Sequence, residues 1–307
     1  MHWRFLHGLV WALCGLLTGP ALACAICAPS DTQTSVLVRA RAAAPLAAGQ
    51  VLAPDGPGPL SATALQWLRQ TLAQPLASDG RVAASYFVPF LQNDDPVIAQ
   101  AAYEEVAVRP YGELRRLVPL LDASRVRQWV LQPALRPRWP LYGLLHGFTG
   151  NAQDAARIGQ DLLRPDLQRS APERSAWVAA LLELRGVDGV DWLERNVLSS
   201  TSLADADMQA VLLALSVHGN EGGRIPRSRV AQAYAHLVRQ QPGRAGFVAL
   251  DLANWGEWGF AEAFAAALRS GTPQVFSSRY AIVFYLLRNP RPEARALMDA
   301  LKAEKLI

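Results

Sequence analysis

The sequence predicts an all-α protein, an α-solenoid of stacked antiparallel helix pairs preceded by a leader and a short irregular arm. Three observations carry that expectation. Apolar residues recur at i, i+4 spacing in paired runs from Leu60 to the C-terminus. Each run is closed by a short polar or Gly/Pro-bearing break, which suits a turn between antiparallel helices. No stretch after Leu60 shows the period-2 alternation of a strand. Two short helices cannot bury both faces alone, so such pairs need neighbours of the same kind.

Composition sets the frame. The chain has 307 residues, 51% of them hydrophobic, which supports a sizeable core and excludes a disordered chain. Thirty Lys and Arg face 26 Asp and Glu, a net charge of +4, and this mild basicity demands no polyanionic partner. Lys302 and Lys305 are the only lysines, a bias read as genome composition.

Residues 1–23 read as a signal peptide: Arg4 in the n-region, an apolar run over 9–17, and Ala21-Leu22-Ala23 as a small-x-small cleavage site. Cleavage after Ala23 removes one arginine and lowers the net charge from +4 to +3. The mature chain is then periplasmic or secreted. No later apolar run is long enough to cross a bilayer, so no transmembrane span is expected. Acylation of Cys24 as a lipoprotein is the lesser alternative, because that motif resembles one with Leu at −3, where Ala21 stands here.

Residues 24–59 form the arm, rich in Pro, Gly and Ala. Residues 36–41 alternate weakly and read as a short strand, with 50–52 as its partner. Residues 54–59 are a turn or linker. The repeat domain is assigned to 60–307. Ser61 caps a helix expected to run to Leu76, with Leu65, Leu68 and Leu72 on one side and Trp67 beside them. The first full pair covers 81–108. Val82, Tyr86 and Phe90 make one stripe of its first helix, and Pro89 should kink that helix. Asp95 is the N-cap of the second helix and Pro96 its N1 residue, followed by Val97/Ala101 and Ile98/Ala102/Val106.

The pattern then recurs. Val118-Pro119-Leu120-Leu121 repeats Val88-Pro89-Phe90-Leu91 at an offset of 30 residues, with Asp122 as cap and Val126-Arg127 after it. A third pair runs from Trp139 into a helix over 151–163. Later pairs fall at 172–184 and 188–198, 205–217 and 226–239, 243–253 and 257–268, and 278–287 and 291–301. Their period is about 30–40 residues, in the range of helical repeats.

The unit over 81–108 resembles a HEAT repeat, on Val88-Pro89-Phe90-Leu91, Asp94-Asp95-Pro96, Ile98 and Ala101-Ala102. It departs from that family at Ala99, where the family places an arginine; Val126-Arg127 in the second copy matches better. The resemblance implies an extended surface that binds partners rather than performs chemistry. With Ala99 in that place, it also implies a stack held by apolar faces and small alanines, without a regular Asp–Arg ladder.

The sharpest candidate for chemistry is Cys24-Ala25-Ile26-Cys27. A pair at this spacing can close a disulfide, hold a soft metal or cycle redox. A c-type haem site needs His where Ala28 stands, and a structural metal site needs two further ligands. In an oxidising compartment a mutual disulfide is the plain reading; a metal at Cys24 and Cys27 stays open, and no other cofactor is expected. His146-Gly147 and His218-Gly219 stand where helices end, and a cation there suits the helix terminus without any function. Asn254-Trp255-Gly256-Glu257-Trp258-Gly259 would make a shallow aromatic site with Glu257 as polar handle; the structural alternative is that Trp255 and Trp258 plug gaps between helix pairs. Arg109, Arg115, Arg116, Arg125, Arg127, Arg136 and Arg138 would form a basic ridge for a protein acid patch, an anionic lipid or a glycan, against the alternative of a solvated helix face. Nucleic acid is excluded as a partner of an exported chain without interleaved aromatics. The carboxylate pairs Glu104/Glu105, Asp188/Asp191 and Asp205/Asp207 read as caps and exposed faces. No GxSxG, Walker loop or GxGxxG after a strand occurs. The expectation is therefore a non-catalytic binding or scaffolding protein of the cell envelope with a protein partner. The alternative is a metal- or redox-handling protein working through Cys24 and Cys27. A hydrolase using Glu257 is the third reading.

Overall fold

A computed structural model describes residues 26–27, 35–53, 56–164, 166–167, 169–221, 223–271 and 275–307. Among them are sixteen α-helices and no strand, and the β pairing is confined to two isolated bridges, Val51 with Pro59 and Leu76 with Val82. The all-α expectation holds. The leader and Cys24 lie outside the described residues. The chain divides into two units, residues 1–117 and 118–307. That division falls inside the span 60–307 read as one repeat domain.

In the first unit, α1 covers Val36–Ala42, where a strand was expected. The reason is local. Ser35 accepts from the Val38 N–H as N-cap, and Val36, Leu37 and Ala40 are buried at helical spacing. α2 (Ala62–Leu72) is capped by Ser61 as expected, but ends before Leu76. Pro75 disfavours helical backbone at Gln74, and Leu76 joins the bridge to Val82. Next, α3 (Ala84–Phe87) tightens into a 3-10 turn at Val88–Phe90, so Pro89 ends regular α-helix where a kink was expected. Trp67 packs against Phe87 and Phe90 here, with ring centroids 6.3 and 5.4 Å away. α4 (Pro96–Ala107) starts as read: Asp95 accepts from Val97 and Ile98, and Pro96 is the first helical residue. α5 covers Tyr111–Arg116.

The second unit opens with another 3-10 turn at Val118–Leu120, so both copies of the Val-Pro-x motif adopt the same conformation before an Asp cap. Then come α6 (Ala123–Trp129), α7 (Trp139–Thr149), α8 (Ala152–Leu162), α9 (Ala171–Arg185) and α10 (Val187–Leu193). α11 (Asp205–Glu221), α12 (Arg227–Gln240), α13 (Gly246–Trp255), α14 (Ala261–Arg269), α15 (Phe276–Arg288) and α16 (Pro292–Ala303) complete it. First helices stack on first helices, α7 on α9 on α11 and α13 on α15, while second helices pack in a row beside them, α10 with α12 and α14 with α16. Gly186 separates α9 from α10 at φ +58°, a conformation that L side chains adopt only with strain. At Gly147 an added Cβ would lie 2.4 Å from the Ala180 Cα, so α7 and α9 meet there on bare backbone.

One expectation is overturned. The stack does carry a ladder of arginine–carboxylate pairs, and every junction between neighbouring helix pairs of the second unit has one. Arg127 reaches Asp154, Arg136 reaches Glu173, Arg174 reaches Asp207, Arg229 reaches Asp191 and Glu194, Arg244 reaches Asp205, and Arg269 reaches Glu304. Partners lie 27 to 39 residues apart, about one repeat. The arginines sit on loops and either helix of a pair instead of one fixed register, so Ala99 says nothing about the ladder's presence.

Candidate functional site

Two of the ladder's acids do double duty because of how their helices start. α8 opens with a capping box: Asn151 accepts from the Asp154 N–H, and Asp154 Oδ2 accepts from the Asn151 N–H at 3.0 Å. α9 opens with the same device, Ser170 and Glu173. A capping-box acid bends back over its own helix start and is held there, so it presents its remaining lone pairs to the preceding pair. Arg127 of α6 takes those of Asp154, with Nε donating to Oδ1 at 3.1 Å and Nη2 to Oδ2 at 2.8 Å. These bonds hold the Asp154 carboxyl below the usual carboxylate range.

Behind this pair is a cavity of about 240 Å³, bounded by α6–α9 and by Arg169 just before the α9 cap. Trp139 and Trp177 make an aromatic corner, with ring centroids 6.5 Å apart and planes at 77°. The His146 ring stands 6.3 Å from Trp177 at 81°. His146 is 5% exposed and Trp177 9%. Burial pushes the His146 pKa down; Asp154 pulls it the other way and does not prevail. His146 Nε2 lies 3.6 Å from Asp154 Oδ1, beyond hydrogen-bond length. His146 is therefore a neutral buried imidazole, which corrects its reading as a cation on a helix terminus. Its Nδ1 and the Trp177 Nε1 are buried without a hydrogen-bond partner among the described residues. Leaving such a group unpaired costs roughly 1–3 kcal/mol.

The charges in the wall do not cancel. Arg127, Arg157 and Arg169 line the cavity with Asp154 and Asp161. Arg127 is matched by Asp154, and Arg157 approaches Asp161 at 3.9 Å. Arg169 donates to the Asp161 carbonyl oxygen at 2.7 Å and pairs with no carboxylate among the described residues. Burial pushes its pKa down, and the Asp161 carboxylate acts against that without prevailing.

The other sequence candidates are placed as follows. Arg109 is 1% exposed and does not belong to a surface ridge. Its guanidinium donates to the Glu105 and Val82 carbonyls and pairs with Asp79 at 3.2 Å, crosslinking the first unit. Arg115 lies over the Tyr111 ring and Arg125 over that of Trp129, at 5.3 and 5.9 Å. Arg116 and Arg125 are exposed, while Arg136 is engaged by Glu173 and Arg138 is half-buried. Arg109, Arg115 and Arg116 belong to the first unit and Arg125, Arg127, Arg136 and Arg138 to the second.

Trp255 stacks on Tyr234 at 5.5 Å and 10°, donates Nε1–H to Asn220 Oδ1 at 2.8 Å, and covers Gly219, where a Cβ would meet its ring at 2.6 Å. Trp258 packs on Tyr285 at 5.4 Å, and the Tyr285 hydroxyl donates to the Glu257 carbonyl at 2.7 Å. Both indoles fill gaps between helix pairs. His218 is buried against Glu183, Nε2 to Oε1 at 3.2 Å, and is not a solvated helix-end cation. Glu105 is buried beside Arg109, and burial raises its pKa, so Glu104/Glu105 is not an exposed acid pair. Cys27 is buried, and its partner in the motif, Cys24, lies outside the described residues. Among the described residues no group of three or more His, Cys, Asp and Glu is placed to hold a metal, and no helix is long and apolar enough to cross a membrane.

Sequence reasoning reached Arg127 and weighed His146, but missed Asp154, Arg169, Trp139 and Trp177. The capping boxes Asn151-x-x-Asp154 and Ser170-x-x-Glu173 are visible signals that fix two of the acids. No family model, curated protein or solved structure matches this chain.

Proposed function

We propose that this chain is a non-catalytic binding protein of the cell envelope, built from HEAT-like helix pairs, and that the α6–α9 cavity is its recognition site. The observation that supports this most is the aromatic corner of Trp139 and Trp177 in a cavity whose lining arginines outnumber its carboxylates by one. A concave site with aromatic walls and a few convergent charged groups is what a small ligand occupies. The envelope location rests on the leader-like residues 1–23. A protein partner belongs to the same reading, and each unit keeps one exposed candidate arginine for it, Arg116 in the first and Arg125 in the second.

A thermal-shift panel on the mature chain tests the reading. Small acids, amines and neutral compounds are compared on the wild type and on Trp139→Leu, which removes one aromatic wall. At least one compound is expected to raise the Tm of the wild type and not that of the variant. A panel in which every compound acts equally on both proteins counts against the cavity as a recognition site.

A further inference from the structure

We propose that the cavity takes a small aromatic monocarboxylate; this rests on the binding reading above and names its ligand class. Size is the first argument. An apolar cavity of about 150 Å³ holds a benzene ring. The space here, about 240 Å³, therefore holds one ring and a short polar group.

The walls are the second argument. Trp139 and Trp177 meet nearly at right angles, so a flat ring can lie along one indole face and present its edge to the other. Both arrangements are favoured between aromatic groups, and neither suits a branched aliphatic body as well.

Charge is the third. Three guanidiniums and two carboxylates line the space, leaving one positive charge. Of the three, Arg169 is the arginine with no carboxylate within ion-pair distance among the described residues, while its donor to the Asp161 carbonyl anchors the group in place. A single carboxylate neutralises that surplus, and the planar guanidinium fork suits carboxylate geometry. A second negative charge would face Asp154 and Asp161 without compensation. A cation would meet three arginines.

The test is calorimetric titration of the full mature chain with benzoate, its neutral isostere benzamide and the cation benzamidine. Benzoate is expected to saturate one site, benzamide to bind at least tenfold more weakly, and benzamidine not to bind. Arg169→Gln, at a half-buried position before the helix cap, is expected to weaken benzoate at least tenfold and benzamide far less, with helicity retained. Trp139→Leu is expected to weaken benzoate and benzamide alike. Benzamidine binding as tightly as benzoate, benzoate failing to bind, or Arg169→Gln leaving benzoate affinity unchanged would each overturn the ligand class. If benzoate fails while another panel compound shows Trp139-dependent stabilisation, the class alone falls. If no compound of any charge does, the binding reading falls with it.

Discussion

Arg127 and Asp154, 27 residues apart, meet in two parallel hydrogen bonds, and the same carboxylate closes the capping box of its own helix. One side chain thus fixes a helix start, joins two helix pairs and forms part of the cavity wall. Such coupling is testable. Arg127→Ala and Asp154→Asn are each expected to lower the urea midpoint. The double variant should lose less than the two losses summed, because the second change removes a partner already gone. Strict additivity would show that the pair is formed without contributing.

His146 gives the protein's stability a pH signature. Its folded pKa is depressed by burial below the ordinary histidine value of about 6.5. Between the two values the unfolded chain binds a proton that the folded chain refuses, so stability rises with pH there. As pH falls through the ordinary histidine range, stability should drop, and the slope should end below the folded pKa. His146→Gln removes this dependence. Asp154 acts lower: its folded pKa is also depressed, so its contribution is present above about pH 4 and is lost on further acidification. Urea midpoints from pH 4.5 to 8 in the wild type and His146→Gln would check the sign; parallel curves would contradict it.

His218 and Glu183 are buried together, with side chains 1% and 4% exposed. The Ala214 carbonyl occupies His218 Nδ1 at 2.8 Å, which makes that nitrogen the donor. A proton must then lie between Nε2 and Glu183 Oε1. Glu183→Ala takes that partner from His218 Nε2 and is expected to cost about 1–3 kcal/mol. Glu183→Gln, whose amide donates to a neutral ring, should recover most of that loss in chemical denaturation.

The close approach of α7 and α9 makes Gly147 intolerant. An alanine Cβ would fall 2.4 Å from the Ala180 Cα and 2.8 Å from its Cβ, against backbone that cannot swing aside. Gly147→Ala should destabilise by about 1–3 kcal/mol, the scale of overpacking, despite its better helix propensity. Gly259, where an added Cβ meets nothing within 4 Å, is the control position.

Much of the fold was legible because its signals are local. Asp95-Pro96, Asp122 and Ser61 each capped the helix assigned to them, and the Val-Pro-x echo marked two equivalent turns. Residues 36–41 misled because a two-valine alternation is too short to separate strand from helix; Ser35, one residue earlier, decided it. The ladder was illegible from the Ala99 position because arginine reaches far enough to pair from several registers. Arg109 read as surface for a related reason. Its burial depends on Asp79 and the Val82 carbonyl, brought to it by tertiary packing across 30 and 27 residues. The cavity was hidden in the same way: Trp139, Arg169 and Trp177 each look ordinary in sequence, and only the stacking of α7 and α9 brings the two indoles together.

The most direct test of the cavity as a recognition site is native mass spectrometry of the chain purified from its native host, with Trp139→Leu prepared in parallel. A one-to-one small-molecule adduct on the wild type, absent from the variant, is the expected result. An adduct retained unchanged on Trp139→Leu, or identical adduct-free spectra from both proteins, would contradict it.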